Sequence, residues 1–297
     1  MPADETAGAA LPHVLSVIGD VANSVHMPLP DVGRETWLSP GRALEIPFDH
    51  EPAQVLERAR RHFANQPVDV NVLPNHNRRK RLLVADMDST IINVECLDEL
   101  ADMAGLKPVI AAITERAMRG ELAFEEALRE RVAMLKGLDL SALGRVYRER
   151  VRLNPGARTL VATMRRHGAY TLLVSGGFTY FTSRVAKDAG FDNEQANVLL
   201  DDGAALTGAV AEPILGREAK LAALEKAITA QRIGAADAVA VGDGANDLAM
   251  IRRAGLGVAY HAKPVVAAAA GASIRHGDLT ALLYLQGYRD DEFVRAG

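Results

Sequence analysis

From residue 82 onward, apolar runs typical of buried strands alternate with segments that have the spacing of amphipathic helices. The first run, Leu82-Leu83-Val84-Ala85, is apolar on both faces and stops at Asp86, as a strand in the middle of a parallel sheet does. Further strands are predicted over 169–174, 238–241 and 256–259, a hairpin over 196–210, and helices over 156–168, 217–229 and 246–253. This alternation predicts an α/β fold with a doubly wound parallel sheet and helices on both faces.

Residues 97–151 break the alternation, because they show helical spacing only. Helix-like segments cover residues 97–104, 107–118, 122–135 and 141–150, and glycines 105, 120 and 137 separate them. We therefore predict an all-helical cap insertion over about 96–154, directly after the first strand of the sheet.

The first 77 residues follow a different pattern. An apolar opening at 14–21, a strand-like 43–48, a helix-like 52–63 and alternating valines at 68, 70 and 72 predict a small N-terminal α+β module over residues 1–77. Turn formers at 74–77 and the four cations Arg78-Arg79-Lys80-Arg81 place the boundary with a second domain over 78–297. We expect these cations to lie in a solvated linker, with an address signal or an anion-binding patch as alternatives.

Composition is typical of a folded protein and excludes several classes. The 297 residues are 48% hydrophobic and 24% charged, which excludes a disordered or collagenous chain. The net charge of −4 argues against a nucleic-acid partner. Cys96 is the only cysteine, so internal disulfides and multi-cysteine zinc sites are excluded and a reducing, cytoplasmic location is expected. We expect no signal peptide, because the opening Met1-Pro2-Ala3-Asp4-Glu5 is acidic and lacks a basic segment followed by an apolar one. We expect no membrane-spanning segment, since no apolar run approaches about 18 residues.

Reactive side chains gather where the predicted strands end. They belong to three segments, Asp86-Met87-Asp88-Ser89-Thr90, Ser175-Gly176-Gly177 and Gly242-Asp243-Gly244-Ala245-Asn246-Asp247. Lys220 joins them from the helix predicted over 217–229, which precedes the strand over 238–241. Each motif alone is also typical of a turn or a helix cap. Together they predict a carboxylate metal site beside a phosphate cradle, because functional groups collect at the carboxyl ends of parallel strands. Oxygen ligands without clustered Cys or His favour Mg²⁺ over Zn²⁺.

The combination of these motifs resembles that of a known superfamily. No G-x-x-x-x-G-K-[ST] loop, no G-x-G-x-x-G after the first strand, no G-x-S-x-G elbow and no H-E-x-x-H pair competes with it. Asp86-x-Asp88-x-Thr90, Ser175, Lys220 and Gly242-Asp243-Gly244-x-Asn246-Asp247 are similar to the four motifs of the haloacid dehalogenase superfamily, and the resemblance covers residues 82 to about 285. It implies that Asp86 attacks phosphorus to form an aspartyl-phosphate, while Asp88 protonates the leaving oxygen and then activates water.

The resemblance also implies a magnesium site. Mg²⁺ is expected to bind the Asp86 carboxylate, the Asp88 backbone carbonyl and Asp243, while Asp247 orients a metal-bound water. A cation is required because three carboxylates and a phosphate dianion bring a charge of about −5 against the single positive charge of Lys220.

Further residues are expected to bind the phosphoryl group. The Ser175 hydroxyl and the Gly176 amide contact its oxygens, and Lys220 balances their charge. Asn246 contacts phosphate or Lys220. Met87 replaces a commoner aromatic or aliphatic residue of the family, and its side chain is expected to face the core.

Within the superfamily, the chain is similar to members that hydrolyse O-phospho-L-serine. The resemblance lies in Glu95, Met118, Phe124 and Arg131, in or next to the predicted cap. It implies that Glu95 binds the amine and Arg131 the carboxylate of phosphoserine, under a cap with hinges near Glu95 and Pro155. The expected reaction is the Mg²⁺-dependent release of L-serine and phosphate, the last step of serine biosynthesis.

Several alternatives stay open. The same aspartyl-phosphate serves a phosphotransferase, or a phosphatase for another small phosphomonoester, equally well. An amino-acid-sensing protein is another alternative, since some superfamily members carry a ferredoxin-like, ACT-type regulatory domain at the N-terminus and residues 43–73 resemble half of one. A homodimer is left open, whereas no nucleic-acid or membrane partner is expected.

Overall fold

The computed structural model describes residues 11–21, 32–118 and 121–295, apart from the side chains of Met118 and Arg217. The strands in these ranges are β1 (His13–Gly19), β2 (Thr36–Ser39), β3 (Ala43–Phe48), β4 (Val68–Pro74), β5 (Leu82–Ala85), β6 (Tyr170–Phe178), β7 (Asn193–Asn197), β8 (Leu199–Asp201), β9 (Leu206–Val210), β10 (Ala238–Gly242), β11 (Leu256–Tyr260) and β12 (Ala272–Ile274). The α-helices are α1 (Pro52–His62), α2 (Cys96–Met103), α3 (Lys107–Met118), α4 (Phe124–Ala133), α5 (Ser141–Glu149), α6 (Ala157–Arg166), α7 (Thr179–Ala189), α8 (Arg217–Gln231), α9 (Leu248–Arg253), α10 (Pro264–Ala269) and α11 (Ala281–Leu285). None of the helices described is both long and apolar enough to cross a bilayer.

A six-stranded parallel sheet forms the centre of the molecule. Its order is β12-β11-β10-β5-β6-β7, so the first strand in sequence lies near the middle. The side chains of β5 alternate between two cores: Leu82 and Val84 pack with α8, whereas Leu83 and Ala85 pack with α6 and α7. The predicted doubly wound α/β fold is therefore confirmed.

The four helices α2 to α5 form the cap, inserted between β5 and α6 as predicted. The predicted segments agree with these helices to within two residues at each end. The chain enters and leaves the cap on adjacent segments, because Ile92 and Leu153 form an antiparallel bridge and the Asn93 N–H donates to the Arg152 carbonyl at 3.1 Å. The two predicted hinges thus lie side by side.

The hairpin of β8 and β9 contacts the cap from the side of the core. The Gly137 N–H donates to the Leu206 carbonyl at 2.8 Å. Arg129 of α4 forms an ion pair with Glu212, just after the hairpin, at 2.7 Å. The cap therefore rests on the core at its hinges and at this hairpin.

The N-terminal residues form a second, antiparallel sheet with the order β2-β3-β1-β4. Helix α1 packs on one face, over a core that includes Leu15, Ile46 and Val55. The other face packs against the larger domain, where Val14 and Leu73 join the main core. The α+β character is as predicted, while residues 1–10 and 22–31 of the predicted module lie outside the described residues.

The basic run between the two sheets is a solvated linker only in part: Arg79 and Arg81 are exposed as expected, whereas for Lys80 and Arg78 the expectation was wrong. Lys80 is only 9% exposed, and its Nζ donates to the Asn77 and Ala236 carbonyls at 2.5 and 2.8 Å. Arg78 forms an ion pair with Glu45 and donates to the Leu285 carbonyl at 2.9 Å. Carbonyls at the ends of helices and turns lack partners within their own element, and these cations supply donors to them.

Six of these elements were given no bounds in the sequence analysis: β2, α7 and β7, and α10, β12 and α11 near the end of the chain. Strand β7 is polar, with the sequence Asn193-Glu194-Gln195-Ala196-Asn197, and it forms the edge of the parallel sheet. Strand β6 also runs on to Phe178, beyond the predicted end at residue 174. Its pairing with β7 shifts register between Val174 and Phe178, so Ser175-Gly176-Gly177 forms a bulge rather than a separate turn.

Candidate active site

The motifs meet at the carboxyl edge of the parallel sheet. Ala85 pairs with Leu173 of β6 on one side and with Val241 of β10 on the other, so the three strands end together. Asp86 follows β5 directly, and its backbone N–H donates to the Val241 carbonyl at 3.0 Å. The next five residues, Met87–Ile91, form a kinked turn, because Asp88 and Ser89 leave helical geometry, and Met87 in it is fully buried, facing the core as expected.

Lys220 joins two of the carboxylates at the centre of the site. Its Nζ donates to Asp86 Oδ1 at 2.5 Å and to Asp247 Oδ1 at 2.6 Å, and all three side chains are buried. Burial alone would lower the pKa of Lys220, but the two carboxylates raise it above its ordinary value, so the ammonium group stays charged. Burial, and then the charge of Asp247, raise the pKa of Asp86 well above its usual range.

The acidic cluster fits a hard divalent cation. Carboxylate oxygens of Asp86, Asp243 and Asp247 lie within 4.8 Å of one another. Burial, and then the charge of Asp247, raise the pKa of Asp243 to about 6. The Asp243 carboxylate has the Thr90 hydroxyl 3.5 Å away, whereas Asp247 Oδ2 already accepts the Gly244 N–H at 3.0 Å. Mg²⁺ prefers oxygen ligands, and a cation would relieve the repulsion between these neighbouring carboxylates, so the residues present suit this ion.

Asp88 lies beside Asp86 with both of its oxygens engaged. Oδ1 accepts the Cys96 N–H at 2.9 Å, and Oδ2 accepts the Ser175 hydroxyl at 2.9 Å. Burial is the main cause that raises the pKa of Asp88 above its ordinary value. A Cβ at Gly177 would lie 2.9 Å from Asp88 Oδ2, so glycine is required there. A carboxyl group with this environment is suited to hold and return a proton.

Two charged residues of the cap side lie close to this cluster. Glu95 Oε1 accepts the Ser89 hydroxyl at 2.6 Å, and burial, followed by the charge of Asp88, raises the pKa of Glu95 to about 7. Burial lowers the pKa of Arg131, while the charges of Asp98 and Glu95 act in the opposite direction. In the present geometry the Arg131 Nε donates to the Ala127 carbonyl of its own helix at 3.1 Å. One anionic and one cationic group are thus available to a substrate.

Phe124 of the cap covers the bulge Ser175-Gly176-Gly177, which is called the phosphate loop below because its donors are expected to bind phosphate. A Cβ at Gly176 would lie 3.2 Å from the Phe124 ring, and one at Gly216, before α8, would lie 3.3 Å from it. The ring therefore rests on two glycine backbones of the core. Met118 ends α3, but its side chain lies outside the described residues.

Asn246 forms no hydrogen bond with Lys220, which was one of its two expected partners. Its Oδ1 lies against the backbone of Gly244, where a Cβ would come within 2.2 Å. The hydrogen bonds of Lys220 go to Asp86 and Asp247, and none goes to Asn246. Contact with phosphate remains its expected role.

The sequence analysis missed two contributors to the site. Ser89 lies between two singled-out residues, and its φ of 56° turns its hydroxyl to Glu95. Its position inside the first motif was the available signal. The Cys96 amide, which binds Asp88, had no signal, because the placement of a backbone donor depends on the fold and not on the side chain.

Fold and site together define an α/β protein that carries a buried pair of aspartates, Asp86 and Asp88, at the carboxyl edge of its parallel sheet. Residues 83–252 match the family model of haloacid dehalogenase-like hydrolases, and the chain belongs to this family.

Curated relatives and solved structures agree with this membership. The phosphoserine phosphatase of Polaromonas sp. is 48% identical over 210 residues, which are 69% of this chain and 89% of the relative. A HAD family hydrolase of Salmonella enterica serovar Typhi superimposes with a TM-score of 0.82 at 28% identity, covering 94% of this chain and 99% of the other. A probable phosphoserine phosphatase of Vibrio cholerae does so with a TM-score of 0.78 at 32% identity, covering 94% and 88%. The last two similarities extend over the N-terminal sheet as well as the larger domain.

Proposed function

We propose that this protein is a Mg²⁺-dependent phosphatase that hydrolyses O-phospho-L-serine to L-serine and phosphate. The observation that carries the proposal is that a carboxylate and a guanidinium lie on the cap side of the buried aspartates Asp86 and Asp88: the charge of Asp88 acts on Glu95, and the charge of Glu95 acts on Arg131. The 48% identity to a protein named phosphoserine phosphatase supports the same substrate.

The proposed reaction has two displacements at phosphorus. In the first, an Asp86 carboxylate oxygen forms a bond to phosphorus, the bond between phosphorus and the seryl oxygen breaks, and Asp88 gives its proton to that oxygen. In the second, Asp88 takes a proton from water as the water oxygen attacks phosphorus. This breaks the acyl phosphate and restores Asp86. The raised pKa of Asp88 supports the first role, since the carboxyl group must hold a proton when substrate binds.

Mg²⁺ would be held by the Asp86 and Asp243 carboxylates and the Asp88 backbone carbonyl. When bound, the ion supplies positive charge that offsets the repulsion between these carboxylates and phosphate. The oxygens of Asp247 are already bound by Lys220 and the Gly244 amide, which supports an orienting role for Asp247 rather than a direct ligand.

The phosphoryl oxygens would be bound by backbone and side-chain donors of the core. The Ser175 hydroxyl, the Gly176 amide and Asn246 lie on the loops that border Asp86. Lys220 is fixed by its two ion pairs and needs no rearrangement to balance charge on the transferred group.

Selectivity would come from the cap side of the site. The Glu95 carboxylate pairs with the substrate amine, and the Arg131 guanidinium binds the substrate carboxylate with two parallel hydrogen bonds. Phe124, with Met118 at the end of α3, would cover the substrate and exclude water during the first displacement.

Release of L-serine as a product supports a place at the last step of serine biosynthesis. The single cysteine, Cys96, supports a location in the reducing cytoplasm, where free thiols persist.

A panel of small phosphomonoesters tests the proposal. Phosphate release is measured from phosphoserine, phosphothreonine, 3-phosphoglycerate and p-nitrophenyl phosphate, with Mg²⁺ and with EDTA. We expect the highest kcat/KM for phosphoserine, serine and phosphate in equal amounts, and loss of turnover with EDTA. Broad activity without preference for phosphoserine would refute the substrate, and activity that persists in EDTA would refute the metal. Addition of homoserine distinguishes a phosphotransferase, because phosphohomoserine would then form in place of free phosphate.

A further inference from the structure

A buried asparagine outside the family motifs links the two core loops that border the phosphate site. Asn197 is the last residue of β7 and is 2% exposed. Its Nδ2 donates to the Gly176 carbonyl at 2.9 Å and to the Leu215 carbonyl at 3.3 Å. Its Oδ1 accepts the Leu215 N–H at 2.7 Å. One amide group therefore binds the phosphate loop and the segment that leads into α8, the helix of Lys220.

The bulge in β6 explains why a side chain is needed at this point. Val174 pairs with Gln195, but the next pair in the ladder is Phe178 with Asn197. Between these pairs β6 advances four residues and β7 only two, so Ser175, Gly176 and Gly177 have no regular partners in β7. The Asn197 amide supplies a donor to the Gly176 carbonyl inside this gap. It thereby fixes the peptide between Gly176 and Gly177, whose N–H donates to the Ser175 Oγ at 2.8 Å.

The same amide also sets the surface on which the cap closes. Leu215 precedes Gly216, and the Phe124 ring rests on both Gly176 and Gly216. Asn197 holds the backbone at Gly176 and next to Gly216, so it fixes the distance between the two halves of this surface. A shift of either loop would move the phosphate donors and the Phe124 contact together.

We propose that Asn197 is a positioning residue for phosphoryl transfer, acting through the Ser175-Gly176-Gly177 loop and the segment before α8. This inference rests on the proposed phosphatase function. It predicts that the asparagine affects kcat and the binding of a phosphoryl mimic, and not only the stability of the fold, because misplacement by about 1 Å costs on the order of 10²-fold in rate.

The chain offers a matched control in Asn71 of β4. Asn71 is also 2% exposed, and it pairs in the same way with one residue: its Nδ2 donates to the Ser273 carbonyl at 3.1 Å and its Oδ1 accepts the Ser273 N–H at 2.8 Å. Asn71 lies in the N-terminal sheet, away from the motifs. If the role of Asn197 were purely structural, Asn197→Ala and Asn71→Ala would have the same effect on kcat and on vanadate inhibition.

The test compares both variants with the wild type below their unfolding temperatures. We expect Asn197→Ala to lower kcat on p-nitrophenyl phosphate by about 10²-fold, to weaken orthovanadate inhibition at least tenfold, and to speed hydrogen exchange of the peptide over 175–178 in the metal-free protein. Asn71→Ala should leave all three within about twofold. Equal effects of the two variants, or an Asn197→Ala protein with wild-type kcat and vanadate inhibition, would overturn the proposal.

A second variant covers the case in which Asn197→Ala does not fold. Asn197→Asp keeps the shape of the side chain and the acceptor for the Leu215 N–H, but it removes both donors and sets a carboxylate against the Gly176 carbonyl. The same loss of kcat and vanadate inhibition is expected, and wild-type values would contradict the inference. A wild-type protein that hydrolyses p-nitrophenyl phosphate but not phosphoserine would instead refute the proposed substrate and leave the role of Asn197 standing.

Discussion

Lys220 sets the state of the reactive carboxylate, because its buried ammonium group pairs with Asp86 and Asp247 at once. Replacement of Asp86 by asparagine keeps the shape of the side chain and removes the nucleophilic oxygen charge. We expect Asp86→Asn to lower kcat on phosphoserine by about 10⁴-fold or more, measured as phosphate release. Thermal unfolding serves as the control, since Asp247 still pairs with Lys220 in the variant. Turnover within tenfold of the wild type would contradict a covalent role for Asp86.

Glu95 is expected to make substrate binding depend on pH. With its pKa raised to about 7, the carboxyl group is mostly neutral at pH 6 and mostly charged at pH 8. Only the charged form pairs with a cationic amine, so the KM for phosphoserine should fall as pH rises through 7, by up to about tenfold. The KM for 3-phosphoglycerate, which has no amine, corrects for the titration of the phosphate group. Glu95→Gln should flatten the ratio of the two KM values, and a wild-type ratio that does not change with pH would contradict the role.

Some residues of the site could be predicted from the sequence immediately around them, whereas other contacts depend on residues far away in the chain. Asp86, Asp88 and Asp243 could be read from the sequence because Asp86 and Asp243 follow apolar strands directly and Asp88 lies two residues after Asp86. The contact between Ser175 and Asp88 could not, since the rotamer of a hydroxyl depends on neighbours 87 positions away. Amide contacts such as that of Cys96 depend only on backbone geometry, which side-chain patterns do not encode.

At the scale of elements, the cap and the core are joined by an exposed ion pair beside the hairpin. Arg129 of α4 and Glu212 lie 2.7 Å apart, with side chains 51% and 59% exposed. Such a pair favours the closed cap only weakly, so Arg129→Glu should raise the KM for phosphoserine about two- to fivefold at low salt.

The reversed pair provides the control for this prediction. Arg129→Glu combined with Glu212→Arg should restore most of the wild-type KM, and the defect of the single variant should fade at high salt because the interaction is screened. A KM defect that is independent of salt and is not rescued by the second change would show that the pair does not act on the cap by charge.

Elements were predictable where the sequence marks their ends. The cap helices were placed to within two residues because glycines separate them. Strand β7 was missed because its polar residues lie at the sheet edge, where burial does not demand an apolar run. The continuation of β6 was missed because Ser175-Gly176-Gly177 is typical of a tight turn, whereas the structure accommodates it as a bulge held by Asn197.

At the scale of the molecule, the N-terminal sheet is fastened to the edge of the parallel sheet by buried polar groups. Asp69 of β4 is 3% exposed, and its carboxylate accepts the N–H groups of Arg275, His276 and Gly277, the shortest of these bonds being 2.6 Å. Arg78 binds Glu45 on one side and carbonyls at the end of α11 on the other. The contacts with the larger domain join residues 206 to 208 positions apart, so no local pattern could have shown that the boundary at 74–81 lies in an interface between the two sheets.

This interface predicts that the two sheets unfold as one unit. Trp37 in β2 is the only tryptophan, so its fluorescence follows the N-terminal sheet while far-UV circular dichroism follows the whole chain. In urea, both signals of the wild type should give one coincident transition. Asp69→Ala removes the buried carboxylate that accepts three N–H groups of the larger domain, which we expect to cost about 2–4 kcal/mol and to move the Trp37 transition to lower urea than the circular dichroism transition. Asp49→Ala, at an exposed aspartate that directly follows β3 of the same sheet, should change neither signal. Transitions that are already separate in the wild type would instead show that the N-terminal sheet folds independently of the larger domain.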